Sequence, residues 1–208
     1  MQHRNMVSSP TTLLGRFPFE ALFEVNGRCL ELMKEAASAP TRGMHPLLYR
    51  VREPLLQLMP AARQRASRSR VLLVDLRFND ASYWMRLAAA WQRPAGSKGY
   101  AFFPRRRAAD LSRSTLILAW HALHASPEIA GVALGMQRDV AKIIAEIPIS
   151  GLERIAKNEV DELMPRWADL SGVWKELLQA AQRNNSQTSR FVALHALQLA
   201  ATEQAHTC

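Results

Sequence analysis

The stretch LRFNDASYWMRL (76–87) returns further along the chain as PRWADLSGVWKE (165–176). The two share Arg77/Arg166, Asp80/Asp169 and Ser82/Ser171, and Phe78 stands opposite Trp167. At this offset of 89, residues 58–86 align on 147–175 without gaps, and Arg65 meets Arg154, Val71 meets Val160 and Arg86 meets Lys175. Each copy stands just before an apolar-periodic run, so its Asp or Ser is placed to cap a helix by accepting a backbone N–H. The arginine can pair with that carboxylate across the turn, and the aromatic can anchor the turn in the core. The unit therefore reads as a structural joint used twice rather than as a doubled ligand site. A tandem repeat of this kind would join two copies of a dimer-forming fold, making their pairing intramolecular.

Outward from the joints the pattern is helical. Leu22, Val25, Cys29 and Met33 fall on one face at i, i+3, i+7 and i+11. After the break SAPTRG (38–43), a second helix spans 46–59, with Pro54 expected to kink or divide it. The β-prone VLLVDLRF (71–78) reads as a short strand, one of a short strand pair, or as a buried extended piece. In the second half, stripes run through Leu116, Ala119, Trp120 and Leu123, then Met136, Val140, Ile143, Ile144 and Ile147. They continue through Leu152, Ile155, Ala156, Val160 and Leu163, then Leu170, Val173, Trp174, Leu177, Leu178 and Ala181. A last helix is expected over 190–204, beyond the polar NNSQTS, whereas residues 1–16 show little periodicity. Each apolar face needs a partner, so a mainly α, layered helical protein follows. Its organisation reads as a degenerate repeat at 17–92, a basic Pro/Gly linker at 93–107 and a helical domain at 108–208.

The 208 residues carry a formal charge of +9, and its placement matters more than its size. Residues 1–107 hold 18 Lys and Arg against 7 Asp and Glu, while residues 108–208 hold 9 against 11. Arginines cluster at Arg63, Arg65, Arg68 and Arg70, and again at Arg105, Arg106 and Arg107. One-sided charge of this type suits phosphate neutralisation, so DNA is the first partner expected. Docking on an acidic protein is the alternative. No apolar run has the length of a membrane span and the N-terminus lacks a signal-peptide pattern, which predicts a cytoplasmic protein without membrane contact.

The segment SPEIAGVALGMQRDVAKIIAEI (126–147) has helix-turn-helix character. A short helix from Pro127 reaches Gly135, and a second begins near Gln137, with Gln137, Arg138 and Lys142 on its outer face. Those residue types reach bases or phosphates. An ordinary core hairpin, with Asp139 and Glu146 diluting the charge, has equal claim. His121 and His124, with Glu128 one turn on, lack the further ligand a metal site needs and read as structural, so no cofactor is expected. Cys29 sits on an apolar face and reads as core. No P-loop, GxGxxG, GxSxG or HExxH is present, and no enzyme activity is expected.

The second half resembles the FlhD family, a subunit of the bacterial flagellar master regulator. The resemblance is carried by TLILAWHALHASPEIAGVALGMQRD (115–139), VAKIIAEIPISGLERIAKNE (140–159) and PRWADLSGVWKELLQ (165–179), with SRFVALHALQLA (189–200) behind them. In the first half only residues 58–87 are similar, most clearly at LRFNDASYW. It covers about half the chain well and another seventh weakly. The resemblance implies a mostly helical transcription activator that binds promoter DNA with a zinc-bearing FlhC-like subunit and recruits RNA polymerase, in motility or a related system. Two departures stand out. The chain is nearly twice the family's usual length, consistent with an internal duplication forming a pseudo-dimer, and its first half is far richer in arginine.

Overall fold

A computed structural model describes residues 17–40, 43–90 and 101–183. Among them are nine α-helices and one two-stranded sheet: α1 Phe19–Ser38, α2 Pro46–Leu56, α3 Pro60–Ser67, β1 Val74–Asp75, α4 Ala81–Ala90, α5 Arg105–Ala125, α6 Pro127–Leu134, α7 Arg138–Glu146, α8 Ile149–Asn158, β2 Met164–Pro165 and α9 Ser171–Arg183. A single turn of 3-10 helix, Val160–Glu162, connects α8 to β2. The expected mainly helical fold is present. The helix expected over 190–204 and residues 1–16 lie outside the described residues, as does the 93–100 part of the linker.

The stripes face inward at most positions, although Leu170 is 43% exposed and Trp120, Ile143, Val173 and Leu177 are half-buried. Leu22, Val25, Cys29 and Met33 of α1 are buried, as are Val140 and Ile144 of α7, Leu152, Ile155 and Ala156 of α8, and Trp174, Leu178 and Ala181 of α9. The two long helices α1 and α5 lie against each other at the centre, with α2 and α3 on α1, and α7 and α8 on α5. Burial raises the Cys29 thiol far above its usual range, and its Sγ points at the Leu73 carbonyl 3.7 Å away. It is a core residue, as expected.

Pro54 does not divide α2. It occupies the last turn, where its missing N–H costs one hydrogen bond, and the helix ends two residues later. The new helix starts at Pro60, whose fixed φ suits the first helical position. The reading of residues 101–107 as linker is also corrected. Phe102 and Phe103 are buried against each other with ring centroids 4.8 Å apart, and Arg105, Arg106 and Arg107 form the first turn of α5.

Only Val74 and Asp75 of the β-prone stretch pair as a strand. They run antiparallel to β2 with Val74 opposite Pro165 and Asp75 opposite Met164. The preceding residues follow a bent course held by Asn26, which is fully buried on α1. Its side-chain amide donates to the carbonyls of Ser67, Ser69 and Val71 at 3.2, 3.2 and 3.0 Å, and its oxygen accepts from Leu73 N–H at 2.9 Å.

Both joints have the same backbone form. Arg77 and Trp167 hold left-handed φ values of 50° and 54°. The amide three residues on from each, Asp80 and Leu170, returns to its carbonyl at 3.0 and 2.9 Å. Trp84 donates its indole N–H to the Leu76 and Arg77 carbonyls, and Trp174 donates to that of Arg166 at 2.8 Å. These features stand 90 residues apart, whereas the N-caps of α3 and α8, Met59 and Pro148, stand 89 apart. One extra residue between helix and strand in the second half shifts the register. Arg77 therefore corresponds in backbone form to Trp167, not Arg166, and the capping Asp80 corresponds to Leu170, not Asp169. Asp80 does cap α4, accepting from Tyr83 N–H at 2.8 Å, and it lies 3.5 Å from Arg77.

The helix after each joint crosses to the other half. Helix α4 packs on α7, and α9 packs on α2 and α3.

Candidate nucleic-acid interface

The paired helices α6 and α7 meet at a turn built around Gly135, which sits at φ 65°. Gly135 N–H returns to the Val132 carbonyl at 3.2 Å and Met136 N–H to that of Gly131 at 2.8 Å. This double closure satisfies the last carbonyls of α6 and needs a left-handed residue at its centre. A second constraint comes from outside the turn. A Cβ at residue 135 would fall 1.9 Å from a guanidinium nitrogen of Arg166, which is buried and lies over the Trp167 ring at 4.7 Å.

Both joints converge here. Phe78 of the first accepts from Gln137 N–H at 3.0 Å, and Arg166 of the second packs on Gly135. Leu72 N–H adds a bond to the Ala133 carbonyl at 2.7 Å. The repeated sequence unit thus forms the seat on which the α6–α7 turn is fixed. Helix α7 buries Val140 and Ile144 against α4 and α5 and turns its charged residues outward. Gln137, Arg138 and Lys142 line one open groove of about 780 Å3 together with Glu128 and Asp139. Lys142 pairs with Asp139 at 3.1 Å, both largely exposed.

The arginine clusters reach the surface in different states. Arg63 pairs with Glu31 at 3.1 Å, and Arg107 pairs with Glu35 and lies 4.0 Å from the same Glu31. The two clusters, far apart in sequence, therefore meet at one acidic pair on α1, a partnership that sequence reading missed. Arg65 turns inward and donates to the Ala181 carbonyl at 2.8 Å, closing the end of α9. Arg70 covers the Phe19 ring at 5.6 Å. Arg105 pairs with the buried Asp161 at 2.5 Å, tying the start of α5 to the 3-10 turn. Among the described residues Arg68 and Arg106 are exposed and enter no ion pair.

His121 and His124 flank Trp120 on α5, the His124 ring 4.0 Å from the indole, and His124 Nδ1 lies 2.8 Å from the Trp120 carbonyl. Among the described residues no group of three or more His, Cys, Asp or Glu side chains is placed to hold a metal ion. Nor is any helix there long and apolar enough to cross a membrane. No family model, curated protein or solved structure matches the chain.

Proposed function

We propose that the protein is a cytoplasmic, FlhD-like transcriptional regulator, an activator subunit that contacts DNA within a hetero-oligomer containing an FlhC-like partner and engages RNA polymerase there. The observation that carries this reading is the α6–α7 unit: an amphipathic helix, locked by its turn onto both joints, with Gln137, Arg138 and Lys142 along one open groove. In this reading α6–α7 is a helix-turn-helix, and α7 enters a groove of DNA from its N-terminal end. Arg68 and Arg106 are the phosphate contacts free to act at once. Arg63 and Arg107 join them by exchanging their exposed glutamate partners, since such surface pairs are worth only about 0–1 kcal/mol. Arg65, Arg70 and Arg105 have structural partners and contribute mainly through the field.

The same reading takes the chain as an internal duplication in which one polypeptide forms a pseudo-dimer. The matching joints, the antiparallel strand pair between them and the exchange of α4 and α9 support it.

Fluorescence anisotropy with labelled duplex DNA tests the proposal. Binding should weaken steeply between 50 and 200 mM salt, on the order of a thousandfold if six phosphates are engaged. Arg138→Ala and Lys142→Ala should each weaken binding, and Arg106→Ala should lower the salt slope by about one. Absence of binding at low salt, both alone and with a co-expressed FlhC-like subunit, would sink it.

A second reading, a helical module docking an acidic protein without DNA, is favoured by one observation: Glu31 and Glu35 already balance Arg63 and Arg107. Co-purification of a protein after nuclease treatment, with neutral arginine variants in DNA binding, would select it.

A further inference from the structure

Helix α2 begins as α7 does. Gly43 and Gly135 both hold left-handed φ values, 77° and 65°, and each is followed by a methionine. Two residues beyond each glycine comes the N-cap, His45 or Gln137, and the helices start at Pro46 and Arg138. The third residue after each cap, Leu48 or Val140, is buried. The packing corresponds as well. Helices α2 and α3 lie on α1 as α7 and α8 lie on α5, and α9 packs on α2 as α4 packs on α7. Helix α2 therefore holds the place in the first half that α7 holds in the second.

Its outward chemistry differs. The positions of Gln137 and Arg138 are taken by His45 and Pro46. His45 Nδ1 accepts from Leu47 N–H, its ring meets Phe102, and proline has no polar side-chain atom, so neither is equipped to read a base. Only residues 39–45 separate α1 from α2, too few for a counterpart of α6. The position of Lys142, five residues after the cap, is kept as a cation by Arg50. Lys142 pairs with Asp139, whereas the position of Asp139 is held by the buried Leu47. Arg50 is exposed and, among the described residues, enters no ion pair. Glu53, one turn on, accepts instead from Gln57 Nε2 at 3.3 Å.

We propose that Arg50 is a second nucleic-acid contact, holding a phosphate from the first half as α7 contacts DNA from the second, so that one chain grips a duplex at two points. The inference rests on the reading of α7 as a DNA-contacting helix. The contact at Arg50 carries no sequence information, because the two positions that would reach bases are silent. A guanidinium suits this use, since it is always charged and meets phosphate oxygens two at a time.

Fluorescence anisotropy tests the proposal, using the full chain, alone and with a co-expressed FlhC-like subunit, on two duplexes of unrelated sequence, each about 30 base pairs or three helical turns long. One phosphate contact adds about 0.9 to the slope of log affinity against log salt. Arg50→Ala should therefore lower the slope by about one and weaken binding roughly eightfold at about 100 mM salt, on both duplexes alike. Arg50→Lys keeps the charge and should stay within about twofold of the natural chain. Arg28→Ala removes the same charge from α1, where the partner is the neutral Ser114 hydroxyl, and should leave the slope unchanged. Unaltered binding by Arg50→Ala, with binding still weakened by Arg138→Ala and Lys142→Ala, would overturn the second contact and leave the reading of α7 standing. An equal loss for Arg28→Ala would make the effect one of net charge, and a loss on one duplex only would make Arg50 a base reader; either result rejects the proposal. No binding by the natural chain, alone or with the partner, would remove the reading of α7 and this contact with it.

Discussion

Gly135 bears two demands at once, a left-handed backbone and room for the Arg166 guanidinium. Gly43 shares only the first: its φ is 77°, and nothing lies within 4 Å of its missing Cβ. Substitution by alanine should separate the two terms. Gly43→Ala should cost about 1 kcal/mol, and Gly135→Ala about 2–4 kcal/mol because the guanidinium must also move, both measured by urea unfolding. Asn26 makes a third case. Leucine fits its apolar surroundings but leaves the carbonyls of Ser67, Ser69 and Val71 and the Leu73 amide without their partner, so Asn26→Leu should cost about 3 kcal/mol in the same measurement. Of these residues the sequence exposed Gly135 as a turn and Asp80 as a cap, because both act on their immediate neighbours. Asn26 was illegible. Its partners are backbone groups 41 to 47 residues away, and no side-chain pattern marks them.

Helix boundaries were legible wherever a start or stop signal is local. Pro127 opens α6 and Gly135 closes it, whereas the helix α3 that Pro60 opens was read only as a basic segment. The start of α2 depends on a less familiar cap: His45 Nδ1 accepts from Leu47 N–H at 3.2 Å, and its ring meets the edge of Phe102 at 5.1 Å. Only the ring with a bare Nδ1 can accept, and burial lowers the His45 pKa below its ordinary 6.5. The fold therefore favours the neutral ring. That contribution is complete above pH 6.5 and is lost as pH falls through the lowered value. Asparagine keeps an accepting oxygen and does not titrate. Relative to His45→Asn, the natural chain should lose stability between pH 7 and pH 5 in chemical unfolding, and a constant difference would assign the cap to another group. The arginines of α5 show the opposite limit of legibility. Composition put Arg105, Arg106 and Arg107 in a linker, yet the buried Phe102 and Phe103 just before them fix the helix start at Arg105.

Across the whole molecule the two halves are laced together at their ends. Tyr83 of α4 donates its hydroxyl to Glu159 at 3.0 Å, and Arg77 bonds Glu162 at 2.8 Å, both across the seam. Burial raises the Glu159 pKa, the nearby Glu162 and Asp161 add to the rise, and Tyr83 and Arg77 oppose it. A carboxyl with a raised folded value stabilises the fold when protonated, and that contribution disappears as pH climbs from its ordinary 4.5 through the raised value. Relative to Glu159→Gln, the natural chain should become progressively less stable from pH 4 to pH 7, read from urea midpoints. The sequence echo announced two related joints but not this lacing. An apolar stripe states that a face is covered and is silent about which helix covers it, so the passage of α4 to α7 and of α9 to α2 had no signal. The register slip from 89 to 90 was hidden for a similar reason, since three identities at Arg166, Asp169 and Ser171 outweighed the match of Trp84 with Trp174 that carries the backbone register.

The two-residue ladder between β1 and β2 has a consequence for how the chain is made. Leu72 waits for Ala133, Leu73 for the amide of Arg166, and Val74 for Pro165, so the first joint cannot finish until the second has left the ribosome. Such distant closures are slow and leave apolar surface uncovered in the meantime. Ribosome-held chains whose exposed part ends near residue 150 should remain open to protease at residues 71–90, and resistance should appear once residue 183 has emerged. The first half is thus translated early and folded late.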